Sequence, residues 1–406
     1  MKAGRFINKG TTGCVFKDPP LKCKGESERR PNLVSKLMAK YKANDERISN
    51  SFFKRFDASS NYFITEEHVC EFDETSINAT NEIDKCHDVT ESRTIVPRPI
   101  TDRTLMFYAD GGTDLNNLTL KSADYIPFFE GLCNLFEGLI LAHANQTYHL
   151  DIKLENAVLL KNGVIHPRFI DFGLSAYSVD TFHTIPFQSV YRFWPLESLY
   201  INNPYEFDRN KYNVWYNQFD TNMRYSSVLT LEYWEANTSR NYTFSTAKSI
   251  LDPLQSYFND MACLEKVDVY MFGLMLSLLM THLTRHVMNI HPHTGKVVAR
   301  VDGALTSNMS GDYKDWHTDV EENITVPFTR ICLDMVRLDP HVRPRISDCY
   351  ETYKEILPSI RRLFTSSNIE RFLPIVGVSL SSTQVARRSR KTRKGRRNGT
   401  LRKRKA

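Results

Sequence analysis

Between residues 149 and 173 the chain reads HLDIKLEN, then AVLL-KNG-VIHPRFI, then DFG. Before it, Phe128, Phe129, Leu132, Cys133, Phe136, Leu139, Ile140 and His143 fall at helical spacing, so a helix there buries one face. After it, two apolar runs, 157–160 and 164–170, flank Lys161-Asn162-Gly163, the signal of a tight hairpin. A hairpin returns its ends to one another, which carries Asp171 back beside Asn156. Any fold of this chain must therefore gather two carboxylates, a lysine and an amide at the end of a buried helix.

That set suits phosphoryl transfer, which needs a cradle for polyphosphate, cations to neutralise it and a base to orient the acceptor hydroxyl. Asp151 can accept the hydroxyl proton and Lys153 can contact the transferred phosphate. Asn156 and Asp171 supply hard oxygen ligands of the kind magnesium prefers. Upstream, Gly10-x-x-Gly13 with Val15 lies between two strand-like segments, where glycines let backbone N–H groups approach phosphate oxygens. Lys36 ends an apolar strand that includes Leu33 and Val34, in reach of such phosphates. A helix is expected over 44–56 and a strand over 61–72, followed by a polar loop over 71–93. A further strand is expected over 104–108, a buried helix over 267–283 and amphipathic helices over 325–337 and 346–364. Residues 200–262 are rich in Tyr, Asn and Trp and show no sustained period.

With these residues in order, the chain resembles the eukaryotic-type Ser/Thr protein kinase family over about residues 6–364, and looks most like the divergent kinases of large DNA viruses. HLDIKLEN resembles the catalytic loop H-R-D-x-K-x-x-N, and Asp171-Phe172-Gly173 the D-F-G. Asn8-x-Gly10-x-x-Gly13-x-Val15 resembles the glycine-rich loop, Leu33-Val34-Ser35-Lys36 the V-A-I-K and Pro195-Leu196-Glu197 the A-P-E. Asp268 to Gly273 has the D-x-x-x-x-G spacing of a buried helix, and Arg343 stands where a partner for Glu197 belongs.

The resemblance implies an α+β, bilobal protein kinase fold. Its N-lobe, residues 1–110, would be mostly antiparallel β with one main helix. Its C-lobe, 111–378, would be mostly α-helical with an insertion at about 200–262; beyond it, the low-complexity basic composition of 379–406 predicts a disordered tail. It implies ATP and Mg as donor and metal, with Asp151 and Lys153 catalytic and Asn156 and Asp171 on the metal. The nucleotide would be bound by Asn8, Gly10, Gly13, Val15, Val34, Lys36, Met106, Phe107 and Tyr108, with Met106 as gatekeeper and 107–110 as the hinge that reads adenine. Glu46 is the expected partner of Lys36, with Asp45 and Glu66 as alternatives. Lys153, two residues past Asp151, is the pattern of enzymes that act on serine and threonine. His149 is expected to be structural, packed beneath the D-F-G.

The chain departs from the pattern at Asn8, where the family has its first loop glycine. It departs again at Leu150, where the family has an arginine that receives an activation-segment phosphate. Phosphorylation of Thr181, Thr184 or Ser189 is therefore not expected to be required. Two other readings compete with an active kinase: a pseudokinase scaffold tethered to polyanions, and a kinase-like small-molecule phosphotransferase.

At 41% apolar and 25% charged residues, a chain of 406 has the make-up of a globular protein with a substantial core. No signal-peptide pattern opens it, and its longest apolar run, 269–280, is about half of what crosses a bilayer. No membrane association is expected, and an intracellular site is: host cytoplasm or nucleus, or a virion if the chain is viral. The eight cysteines, without any C-x-x-C pair, are expected to be reduced thiols, with Cys14 a small residue filling space over the phosphate site. Without secretion, the N-x-[ST] sequons are not read as glycosylation sites. The net charge of +6 conceals an asymmetry: 12 of the 53 basic residues lie in 387–405, leaving 41 against 47 acids elsewhere. Such a tail, without aromatic residues, is expected to meet nucleic acid or other polyanions through phosphate contacts rather than base stacking.

Overall fold

The computed structural model describes residues 5–9, 13–26, 30, 32–73, 86, 103–160, 165–184, 191, 193–201, 208–225, 243–284 and 311–372. Gly10, the 161–163 turn, Ser189, most of the 71–93 loop and the 379–406 tail lie outside these residues.

The chain is a mixed α+β protein with a five-stranded antiparallel sheet and a largely helical remainder. The sheet comprises β1 (Arg5–Lys9), β2 (Gly13–Lys17), β3 (Leu33–Ala39), β4 (Glu66–Glu71) and β5 (Arg103–Ala109), in the order β1-β2-β3-β5-β4. Helix α1 (Lys40–Phe56) leaves β3 without an intervening loop, four residues earlier than the sequence suggested. At its far end the Asp57 carboxylate accepts the backbone N–H groups of Asn61, Tyr62 and Phe63 at 2.8–2.9 Å, turning the chain toward β4.

Opposed residues of antiparallel strands share a face, and the register draws one line across this sheet. Asn8 pairs with Val15, Val15 with Lys36 and Lys36 with Met106. Val34 and its partner Tyr108 lie one step along on the same face. Cys14, Phe16, Leu37, Leu105 and Phe107 alternate to the other face and form a separate apolar cluster. Gly13 fits because β3 is close: a Cβ there would meet the Leu37 carbonyl oxygen at 2.6 Å.

A small sheet of β6 (Thr113–Asp114), β7 (Ala157–Leu159) and β8 (Pro167–Phe169) opens the second region. At Gly112, φ is +85°, and a side chain would collide with the Leu159 carbonyl, so this turn needs glycine. Helices α2 (Tyr125–Gly131) and α3 (Cys133–Ala144) break at Leu132 where a single helix was expected. The stretch Ser122–Ala144 is apolar and long enough to cross a membrane, yet half of it is buried in the protein. Phe136 packs on Phe272 and Tyr353, with ring centroids 4.8 and 5.0 Å apart.

Further along come α4 (Val179–Thr184), α5 (Arg209–Tyr225), α6 (Phe244–Leu251), α7 (Cys263–Thr284), α8 (Gly311–Val320), α9 (Val326–Met335), α10 (Ile346–Leu363) and α11 (Ser366–Phe372). Helix α7 is buried without interruption over 267–277, on all its faces. At Gly273 a Cβ would lie 2.5 Å from that of Met335, so glycine lets α7 and α9 meet closely.

Two expectations are corrected here. Residues 200–262 hold helices α5 and α6 after all. Tyr212, Trp215 and Tyr216 are the i, i+3, i+4 signal, obscured by the polar residues between them. The cysteines are not all reduced: Cys14 joins Cys86 and Cys23 joins Cys70, while Cys133, Cys263, Cys332 and Cys349 are free. The fold brings sequence-distant residues to Cα separations of 6.0 and 5.7 Å, within bridging range, a proximity that sequence spacing does not reveal. Cys14 also lies on the face of β2 opposite Val15, away from the predicted phosphate site.

Candidate functional site

The loop 149–156 is held in an unfavourable backbone shape. Leu150 has φ +59°, a region that a branched side chain rarely enters. The wholly buried Asp268 carboxylate accepts the N–H groups of both His149 and Leu150 at 2.8 Å, and Trp194 donates its indole N–H to the Leu150 carbonyl at 2.9 Å. Three directed hydrogen bonds offset the strain. The Leu150 side chain is fully buried in the main core, with no group able to bind a phosphate.

His149 packs against Phe172 and Phe169, both with ring centroids at 5.3 Å, and its Nδ1 accepts the Asp151 N–H at 3.3 Å. Burial pushes its imidazole pKa down, which favours the neutral form that can accept. Its placement beneath Phe172 is the structural one expected.

From this loop Asp151 and Asn156 converge. The Asn156 amide donates to the Asp151 carbonyl at 2.9 Å and to its carboxylate at 2.7 Å, and Lys153 donates to both carboxylate oxygens at 2.9 and 2.8 Å. The β7–β8 pairing sets Ala157 opposite Phe169, and the Ile170 N–H reaches the Asn156 carbonyl at 3.0 Å. Asp171 follows directly, as the hairpin signal required.

The other half of the site comes from the large sheet. Lys36 donates to both Glu46 oxygens at 2.8 and 2.7 Å, and to Asp171 Oδ1 at 3.3 Å. Glu46 is thus the partner of Lys36; Glu66 instead pairs with Lys54 at 2.8 Å. Burial alone would lower the Lys36 pKa, but the Asp171 and Glu46 carboxylates outweigh it and raise it, so the ammonium stays charged. Burial would likewise raise the Asp171 pKa, and Lys36 with Lys153 reverses the sign, keeping its carboxylate ionised. Phe172 stacks on Phe53 of α1 with centroids 4.2 Å apart, fixing the direction of Asp171 just before it.

Met106 and Tyr108 face this side of the sheet, with Val34, Val158 and Ile170 nearby. Tyr108 donates to Glu46 at 2.6 Å, a contact to the Lys36–Glu46 pair with no sequence motif to announce it. Phe107 points to the opposite face. Strand β5 runs on to Ala109 and is paired with both β3 and β4 through Tyr108, which engages the backbone assigned to the hinge. The chain leaves β4's side only at 109–112.

Away from the loop, Arg343 meets Glu197 as expected. Its two terminal nitrogens reach the two carboxylate oxygens, NH2 to Oε2 at 3.0 Å, and both residues are buried. Trp215 of α5 donates to the Trp194 carbonyl at 3.0 Å, tying the inserted helices to the segment that supports Leu150.

Asp171 and Asn156 are oxygen donors that fit a hard divalent cation, with the Lys36 ammonium beside them suited to phosphate. Elsewhere, Cys23, His68 and Cys70 hold potential metal-ligand atoms within 4.8 Å of one another. The bond between the two sulfurs leaves only the imidazole to ligate. Compared with known protein families the chain matches no family model, and it matches no curated protein.

Proposed function

We propose that this chain is a bilobal protein kinase that transfers the γ-phosphoryl group of ATP to serine or threonine hydroxyls of proteins. The observation that carries this reading is the meeting of Lys36 with Asp171, 135 residues apart in sequence and 3.3 Å apart in space, with Glu46 bracing the lysine. An ammonium between two carboxylates at the mouth of a charged loop has a ready use in positioning polyphosphate. A purely structural ion-pair network would not account for Asp151, Lys153 and Asn156 beside it.

In this reading the sheet face bearing Asn8, Gly13, Val15, Val34 and Met106 covers the nucleotide. Backbone groups of 109–112 take the adenine edge, in place of 107 and 108. Lys36 orients the α- and β-phosphates. Asn156 and Asp171 would hold magnesium, which supplies charge neutralisation to the polyphosphate when bound. Asp151 orients the acceptor hydroxyl and receives its proton, and Lys153 steadies the phosphoryl group in flight. The basic tail would carry the enzyme to polyanions. Apolar burial of Leu150 supports independence from an activation-segment phosphate.

The test is transfer of label from ATP to a basic protein in the presence of magnesium. Wild type is expected to label serine or threonine, and Asp171→Ala is expected to label neither. Nucleotide binding without transfer in the wild type would select a scaffold and reject an enzyme.

A further inference from the structure

The carboxylate of Asp151 already has a hydroxyl group on it. The phenol of Tyr191 donates a hydrogen bond to Asp151 Oδ1, and the Tyr191 oxygen lies 3.5 Å from the Lys153 ammonium. The Lys153 ammonium also lies 5.9 Å from the Tyr191 ring centroid. The ring is seated rather than adrift: it packs edge-on against Trp194 with centroids 4.9 Å apart, and the Trp194 N–H reaches the Tyr191 carbonyl at 3.2 Å. Trp194 is in turn bonded to Leu150, next to Asp151. Burial, and then the Asp151 charge, push the Tyr191 pKa up, so the oxygen keeps its proton until a base removes it.

An acceptor hydroxyl in the proposed reaction must present its O–H to Asp151 while its oxygen faces the phosphoryl group steadied by Lys153. The Tyr191 oxygen bonds the Asp151 carboxylate and lies 3.5 Å from the Lys153 ammonium. We infer that Tyr191 is a phosphorylation site of this chain, modified within the same molecule by its own active centre. This rests on the transferase reading above and names its first acceptor. In the step, the phenolic O–H bond breaks and its proton passes to the Asp151 carboxylate. The phenolic oxygen forms a bond to the γ-phosphorus of ATP, the bond from that phosphorus to the β–γ bridging oxygen breaks, and ADP leaves with the electron pair.

Incubating the purified full chain with ATP and magnesium, and mapping phosphate by mass spectrometry, tests this. The expected result is phosphotyrosine at 191, formed with a first-order rate constant unchanged over about 100-fold dilution, as an intramolecular step requires. Tyr191→Phe should lose that phosphate and label an added basic protein several-fold faster, because a competing hydroxyl has gone. The inference is overturned if wild type labels the added protein on serine or threonine while Tyr191 stays bare. It is equally overturned if Tyr191 labelling slows in proportion to dilution, which marks transfer between molecules. If neither Tyr191 nor the added protein is labelled, the transferase reading itself fails and takes this inference with it.

Discussion

The sheet and the helical region hold themselves together by different means. Among the described residues, the sheet has one apolar cluster on each face, nine buried residues on one side and six on the other, and two disulfides cross-link it. The helical region has one continuous core, four free cysteines and a buried Arg343–Glu197 pair. A thin sheet with small clusters has little apolar area to bury, so covalent links contribute where packing cannot. The candidate site lies where the two meet, with Lys36 and Glu46 from the first and Asp151, Asn156 and Asp171 from the second.

The largest effect should come from cutting across this seam. Asp151→Ala is expected to lower the transfer rate by about 10²–10⁴-fold, the usual contribution of a positioned base. Lys36→Met and Asp171→Asn should each abolish most activity, and the double variant should be little worse than either single one, because the two act as a unit. Additive losses in a steady-state assay would mean that the regions contribute separately.

Next comes the helical base. Arg343→Ala leaves the Glu197 carboxylate buried without its partner, and is expected to lower unfolding free energy by about 3–5 kcal/mol in urea titration. The Arg343 guanidinium also donates to the carbonyls of Arg337, Lys266 and Leu338, so lysine in its place should restore little. A drop confined to the sheet, read by local hydrogen exchange, would contradict the division drawn here.

Reducing the disulfides should act the other way, loosening the sheet and sparing the helices. Cys14→Ser with Cys23→Ser is expected to cost about 2–4 kcal/mol per bridge lost. Thiol titration of the denatured, unreduced protein should count four reactive cysteines; eight would return the sheet to the all-thiol state that the sequence suggested.

The smallest effect concerns the brace behind Lys36. Tyr108→Phe removes a buried hydrogen bond to the Glu46 carboxylate, worth about 1.5–3 kcal/mol, and should weaken ATP binding more than it slows turnover. Equal losses in kcat and kcat/KM would place Tyr108 in the chemical step instead.

Independence from activating phosphate is best tested with a phosphatase. The Thr181 hydroxyl accepts the N–H groups of Tyr177 and Ser178 and donates to the Ser178 carbonyl, so alanine there would damage the turn for reasons unrelated to phosphate. In the Tyr191→Phe background, where the competing hydroxyl is absent, phosphatase-treated enzyme is expected to transfer to a protein acceptor as fast as the untreated variant.

Much of the site was legible before any coordinates, because its residues sit where local rules operate. A Lys-Asn-Gly turn between apolar runs is enough to bring Asp171 to Asn156, and alternation along a strand is enough to put Val34 and Lys36 on one face. Choosing Glu46 over Glu66 was harder, since that depends on where α1 begins. Helix α5 could have been found from the spacing of Tyr212, Trp215 and Tyr216, whereas α6, with Phe244 as its one aromatic residue, carries no such signal. The facing of Phe107, the Tyr108–Glu46 bond and the Cys14–Cys86 and Cys23–Cys70 bridges could not.

The amino-acid order alone determined the alternating and helical periods, the turn that closes the hairpin, and the chemical types gathered around it. These follow from steric and hydrophobic preferences that act over a few residues. Which distant residues finally meet was decided only in three dimensions: Lys36 with Asp171, Tyr191 with Asp151, cysteine with cysteine. Such contacts depend on strand register, helix start points and packing summed over the whole core, and no local window of sequence contains that sum.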